Sequence, residues 1–188
     1  MTDDEAYGII IDPSVSYDFV FRQRHSLPKI EKILLTHAHF DHVLCLEEWK
    51  EKTGASVCIT EPDARSLSDG EKNAYSFFFY EEKSYGVPDV MLSDGDKIRF
   101  GNEELSVMLT PGHTAGSCCY VGEDVIFTGD TIFADGGFGR TDLYSGNSGM
   151  LTQSILKLFS LDKDYKMCSG HGRESSISNE KRNHRFNI

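Results

Sequence analysis

No part of this chain is apolar for long. Its densest runs, Ile9-Ile10-Ile11 and Ser76-Phe77-Phe78-Phe79-Tyr80, fall far short of the ~20 residues that a membrane-spanning helix needs. The stretch from Met1 to Gly8 is acidic and polar, without the basic-then-apolar order of a signal peptide. Positive charge is scarce: 19 Lys and Arg stand against 30 Asp and Glu, a net charge of −11 with histidine neutral. A field of that sign repels phosphate backbones and anionic headgroups, which argues against a nucleic-acid or membrane binder. The five cysteines, Cys45, Cys58, Cys118, Cys119 and Cys168, have the spacing of neither a disulfide framework nor a Cys-based zinc site. Reduced thiols in a cytoplasmic protein are the expectation. Repeats and low-complexity linkers are absent, and 188 residues suit a single domain spanning residues 1–188.

What is present is a mixture of short strand-like and helix-like segments. Residues 9–11, 30–35, 57–60, 97–100, 105–109, 117–121, 125–128 and 165–168 read as strands, several ended by Gly, Asn, Asp or Pro. Residues 15–25, 44–52, 148–159 and 177–183 read as helices, with Trp49 on a core face, and Pro62 opens a further short one. Residues 69–88, with Phe77, Phe78, Phe79, Tyr80 and Tyr85, read as core packing beneath a long loop ahead of a substrate wall. Polar motifs lie at strand ends, which fits a layered α/β protein with its ligands gathered along one edge.

Four of those motifs share one chemistry. Thr36-His37-Ala38-His39-Phe40-Asp41-His42 packs three histidines and a carboxylate into one short turn. His37 and His39, two apart, can point the same way in an extended loop, while Asp41 and His42 sit where the next helix begins. Thr110-Pro111-Gly112-His113 aims a histidine from a tight turn, Phe127-Thr128-Gly129-Asp130 runs a strand into a carboxylate, and Gly170-His171-Gly172 flanks a histidine with glycines. Imidazole and carboxylate suit zinc and several other divalent cations. The combined set divides into two half-sites: His37, His39 and His113 for one ion, Asp41, His42 and His171 for another, with Asp130 bridging. His25 and His184 fall outside these motifs.

The order His-x-His-x-Asp-His, Pro-Gly-His, Gly-Asp, Gly-His-Gly resembles the metallo-β-lactamase superfamily. Gly139-Arg140-Thr141-Asp142 and the closing Glu180-Lys181-Arg182-Asn183 make it most similar to the short hydroxyacylglutathione hydrolase (glyoxalase II) group. The resemblance implies a four-layer αβ/βα sandwich with the metals between its two sheets. It also implies a family start of two further strands before residues 9–11, nearly absent here, so that an exposed sheet edge offers a route to self-association. The implied reaction is hydrolysis of a thioester such as S-lactoylglutathione by a water ionised between two divalent ions, zinc first, iron or manganese otherwise. Asp41 and Asp130 would serve the reaction directly. An anionic thioester would find positive charge at Arg140, Arg173 and Lys181, with Arg182 and Arg185 nearby in sequence. The competing reading is a mononuclear iron dioxygenase acting on a persulfide, with His37, His113 and Asp130 as a two-His-one-carboxylate face.

Overall fold

The computed structural model describes residues 6–24 and 26–184. The polar reading of residues 1–5 and the residues His25 and Arg185 therefore lie outside the described residues.

Two sheets face each other. In the first, β1 (Tyr7–Ile11), β2 (Lys29–Leu34), β3 (Ser56–Thr60) and β4 (Val90–Leu92) run parallel in that order. Parallel neighbours need crossovers. These carry α1 (Tyr17–Arg24), the single turn α2 (Phe40–Val43), α3 (Leu46–Thr53) and α4 (Tyr75–Phe79). Side-chain alternation along the strands sorts the core. Ile33, Leu35, Val57 and Ile59 pack with Leu46 and Trp49 of α3, while Leu34 and Cys58 turn the other way, toward the second sheet. The Trp49 indole donates to the Val15 carbonyl at 2.7 Å, so this buried aromatic is also hydrogen-bonded. Gly54 ends α3 in the left-handed conformation, its N–H returned to the Lys50 carbonyl.

The second sheet holds β5 (Lys97–Phe100), β6 (Glu103–Leu109), β7 (Cys118–Val121), β8 (Val125–Gly129), β9 (Lys166–Ser169) and β10 (Ser175–Ser176). Its order is β10-β9-β8-β7-β6-β5. β5 to β8 form an antiparallel meander, and α5 (Ser148–Phe159) crosses over to set β9 parallel to β8. α5 is capped by Asn147, whose side chain accepts from Met150 N at 2.9 Å, and the chain closes on α6 (Ile177–Asn183). Leu151, Ile155 and Leu158 of α5 and Ile177 of α6 pack on Ile126 and Met167, covering the outer face. The layers are thus helix, sheet, sheet, helix, as expected. The adjacent Cys118 and Cys119 show the logic in miniature: the first faces the core between the sheets, the second the core under α5. All five thiols are free, and burial pushes the Cys119 thiol up to about 11.

Two departures matter for function. The aromatic stretch is not core packing: α4 buries none of its residues, and Phe77, Phe78 and Phe79 are 58%, 45% and 49% exposed. Only Tyr85, at 5%, behaves as a core residue. Second, among the described residues β1 pairs with β2 alone. A cavity of about 1090 Å³ follows that open edge between the sheets, from Ile9 and Phe100 to His42 and His171. No helix among the described residues is long and apolar enough to cross a membrane.

Candidate metal centre

Strands of both sheets end on the same side, each delivering a polar residue. β1 leads to Asp12, β2 to residues 36–42, β6 to His113, β8 to Asp130 and β9 to His171. The seven side chains singled out as ligands meet there. His39 Nδ1 lies 2.8 Å and His37 Nε2 3.2 Å from His113 Nε2. On the other side, His171 Nε2 lies 3.3 Å from His42 Nε2 and 3.2 Å from Asp41 Oδ2. Asp130 stands between the groups: Oδ1 is 3.1 Å from His42 Nε2, and Oδ2 is 3.6 Å from both His113 Nε2 and His171 Nε2. Donor atoms of His37, His39 and His113 lie within 4.8 Å of one another, as do those of Asp41, His42 and His171.

The outer nitrogens say which inner ones are bare. His113 Nδ1 faces the Arg140 carbonyl at 2.6 Å, an acceptor only, so Nδ1 carries the hydrogen. His42 Nδ1 faces Asp12 Oδ2 at 2.8 Å, with the same consequence. The Thr36 hydroxyl donates to Asp12 Oδ2 at 2.6 Å, so it can only accept from His37 Nδ1, 3.1 Å away. The neutral His37 and His113 rings so held turn their Nε2 lone pairs toward each other, 3.2 Å apart. Acceptors facing acceptors repel, and a cation among them removes the conflict. Asp130 Oδ1 receives no well-formed hydrogen bond, a further acceptor awaiting a positive partner. The residues present therefore fit divalent ions.

The electrostatics agree. Burial pushes His37 well below the usual imidazole range and His39 down to about 3, while His113 is lowered by burial as well. These rings are neutral near pH 7 and their lone pairs are available. Burial also acts against the His42 imidazolium, but the Asp12 and Asp130 carboxylates outweigh it and raise that ring well above the usual range. A bound cation would take the place of that proton. Burial opposes the Asp41 charge too, yet the His171 hydrogen bond and the His42 charge hold its carboxyl down at about 2.

Small residues leave room for the cluster. A Cβ on Gly170 would stand 2.3 Å from His42 Cε1 and 2.7 Å from Asp130 Oδ1. Gly129, at φ +47°, would press one onto Thr36 Oγ1 at 2.4 Å.

Two supporting carboxylates escaped the sequence reading. Asp12, taken as a turn residue before Pro13, accepts from Thr36 N at 2.8 Å as well as holding His42 and the Thr36 hydroxyl. The available signal was its place: like His113, Asp130 and His171, it follows a strand. Asp63 is 1% exposed and ties two ligand loops together. Its oxygens accept from Ala38 N at 3.2 Å, Thr114 Oγ1 at 2.7 Å and Gly116 N at 2.8 Å.

The three candidate substrate residues part company. The Arg140 backbone supports His113, and its guanidinium forks onto Asp142 with two bonds of 2.7 Å. Arg173 pairs with Asp135 at 2.5 Å. The Lys181 ammonium donates to the Phe159 carbonyl at 2.9 Å, tying α6 to the end of α5.

This fold and centre define a class. Residues 2–171 match the model of the metallo-beta-lactamase superfamily, and the chain belongs to that superfamily of metallo-hydrolases, whose members bind divalent metals. Within it, the chain is 31% identical to hydroxyacylglutathione hydrolase GloC of Haemophilus influenzae, over 98% of this chain and 89% of that one. Among solved structures it is similar to the B3 metallo-beta-lactamase BLEG-1, with a TM-score of 0.88 at 30% identity, covering 98% and 90% of the two chains. It is also similar to TTHA1623 in a di-iron-bound form, with a TM-score of 0.78 at 26% identity, covering 94% and 87%.

Proposed function

We propose that this chain hydrolyses an acyl thioester, S-lactoylglutathione or a relative of it, with two divalent cations held by its histidines and carboxylates. His37, His39 and His113 would hold one ion and Asp41, His42 and His171 the other, with Asp130 standing between the two groups. One observation carries the reading: inner nitrogens made bare by their outer hydrogen bonds converge with Asp130 on one space. Two divalent ions supply an ionised water at neutral pH and an electrophile for a carbonyl oxygen.

The protein's own groups do the rest. Asp41, half-buried and ionised, is the group placed to orient the attacking water through a hydrogen bond. Asp12, Thr36 and the Arg140 carbonyl fix the rings, so little reorganisation remains for the reaction itself. Burial of His37, His39, His42 and His113 keeps bulk water from the inner face. No Ser or Cys nucleophile is required. Zinc, iron and manganese all suit an N/O donor set. The likeness to GloC supports the thioester substrate, and five free thiols support a reducing, cytoplasmic setting.

A mononuclear iron oxygenase would carry the same ligands and use only some of them, so the two readings divide on metal content. Metal content measured beside hydrolysis of S-lactoylglutathione tests the choice. The expected result is two ions per chain, turnover, and its loss in His39→Ala. One iron per chain with oxygen consumption on a persulfide would overturn it.

A further inference from the structure

The free edge of β1 leads to the centre. At one end of the strand Lys29 N donates to the Ala6 carbonyl at 2.8 Å, and at the other Asp12 N donates to the Leu34 carbonyl at 3.0 Å. Both bonds point toward β2. Main-chain groups reverse direction at each residue of a strand, so Gly8 and Ile10 face β2 as well, while Tyr7, Ile9 and Ile11 turn their N–H and C=O away from it. No strand among the described residues receives them. An edge of this kind is a template for another extended chain.

The space beside that edge is the cavity of about 1090 Å³, which wraps β1 on both faces. Ile9 and Ile11 line it with Phe100 and Phe127 toward the second sheet, and Ile10 lines it with Val20 toward the helices. Its inner end holds Asp41, His42 and His171, together with Asp12, which follows β1 and faces His42 Nδ1 at 2.8 Å. Its outer end holds Glu103, Glu104, Glu123 and Asp124, where β6 and β8 begin, and no Lys or Arg lines it anywhere. From Tyr7 to Asp12 the strand covers about 16 Å at the usual rise per residue. Arg140, Arg173 and Lys181 are each engaged elsewhere, so this edge is the built feature that the carrier half of a thioester can use.

The lining selects the carrier. Bare hydrocarbon would leave the Ile9 and Ile11 amides without partners in a partly enclosed space. A phosphate-bearing carrier would meet carboxylates at the outer end. An extended peptide satisfies the edge, because its own amides recur at a matching spacing, and a free amino end suits the carboxylates. We infer that the thiol half of the substrate is a short peptide held extended along β1 by main-chain hydrogen bonds to Ile9 and Ile11. Its sulfur lies at the Asp41, His42 and His171 end and its amino group points toward Glu103 and Glu123. The span accommodates a tripeptide, about 10 Å long when extended. The inference rests on the hydrolase reading and narrows it from thioesters at large to thioesters of peptide thiols.

The test uses metal-loaded protein. S-methylglutathione, a thioether that cannot be hydrolysed, reports binding by calorimetry and by amide hydrogen exchange. The expected result is slowed exchange at Ile9 and Ile11, with Ile10, already bonded to β2, unchanged. In turnover, S-lactoylglutathione should exceed S-lactoyl-N-acetylcysteamine, which has one amide, and that should exceed S-lactoyl-2-mercaptoethanol, which has none. Each step should cost about threefold to tenfold in kcat/KM, through KM. Ile9→Pro removes an outward N–H while keeping the bonds to β2, a substitution that edge strands tolerate. It should shrink the preference for the glutathione ester over the mercaptoethanol ester about threefold to tenfold. S-lactoylglutathione methylated at its cysteinyl nitrogen probes the same pairing in unaltered protein and should lose as much. Thioester turnover with no preference among the three carriers, or no protection of Ile9 and Ile11 by millimolar S-methylglutathione, overturns the inference and leaves the hydrolase reading standing. So does protection of Ile9 and Ile11 that grows with protein concentration alone, since β1 then pairs with a second copy of the chain. Protection by S-methylglutathione with no turnover of any thioester defeats the hydrolase reading instead.

Discussion

Asp12→Asn exchanges one oxygen for an NH2 group and should cost the protein metal at both half-sites. Asp12 has φ 50°, a conformation that asparagine tolerates about as well as aspartate, so the backbone is not disturbed. The remaining oxygen can keep the bond to Thr36 N. The new amide then faces the Thr36 hydroxyl and His42 Nδ1, now 2.6 and 2.8 Å from Asp12 Oδ2. His42 must turn a bare Nδ1 to it and carry its hydrogen on Nε2. The Thr36 hydroxyl must accept from the amide and send its own proton to His37 Nδ1, 3.1 Å away, which moves the His37 hydrogen inward as well. Both inverted tautomers block a ligand atom. Removing the orienting partner of a ligating histidine typically costs 10–100-fold in metal affinity, about 1.4–2.7 kcal/mol. Asp12→Ala should behave differently. It leaves His37 its outer hydrogen, so the first equivalent of metal is retained and the second weakens. It also places alanine at positive φ, which lowers the melting temperature where Asp12→Asn does not. Zinc titration of stripped protein against a chromophoric chelator, with thermal melts alongside, separates the two. Wild-type affinity for both equivalents in Asp12→Asn would refute the tautomer argument.

Other consequences can be checked as directly. Gly170→Ala should lose the second equivalent of metal and most turnover while keeping the first, since its methyl would meet His42 and Asp130; full metal content by elemental analysis would contradict this. Asp63→Ala leaves three buried donors without an acceptor and should destabilise the fold by about 3 kcal/mol in urea denaturation, with a loss under 1 kcal/mol counting against it. Chelator treatment should abolish turnover and lower the melting temperature, and one divalent metal added back should restore both.

The convergence of the seven candidate ligands was legible because His and Asp concentrate there more densely than packing requires, and because each sits where a strand stops. The helix α5 was legible end to end, read over 148–159 and found over Ser148–Phe159. Sheet order was not, since it depends on partners distant in the chain. β4 and β10, of three and two residues, carry too few side chains to show a period. α4 went unread for a physical reason: it is a single turn held by non-glycine residues at positive φ, where sequence normally advertises glycine. The same stretch shows why apolarity alone misleads, because four aromatic residues in a row were placed in the interior and all four stand exposed to solvent. Asp12 and Asp63 were missed because a supporting carboxylate has no local signature: each was adjacent to a proline and looked like punctuation.

Asp12 and residues 36–42 descend from the first sheet, whereas His113, Asp130 and His171 descend from the second. Each proposed ion therefore takes donors from both, and its coordination bonds would span the seam alongside the hydrogen bonds that already cross it at that end, such as Cys118 N to the Thr36 carbonyl and the Tyr120 hydroxyl to the Leu35 carbonyl. Loading the centre should act like a rivet. Slow amide exchange would spread outward from the ends of β2 and β8 when ions are present, and the two halves would breathe apart there first when they are withdrawn.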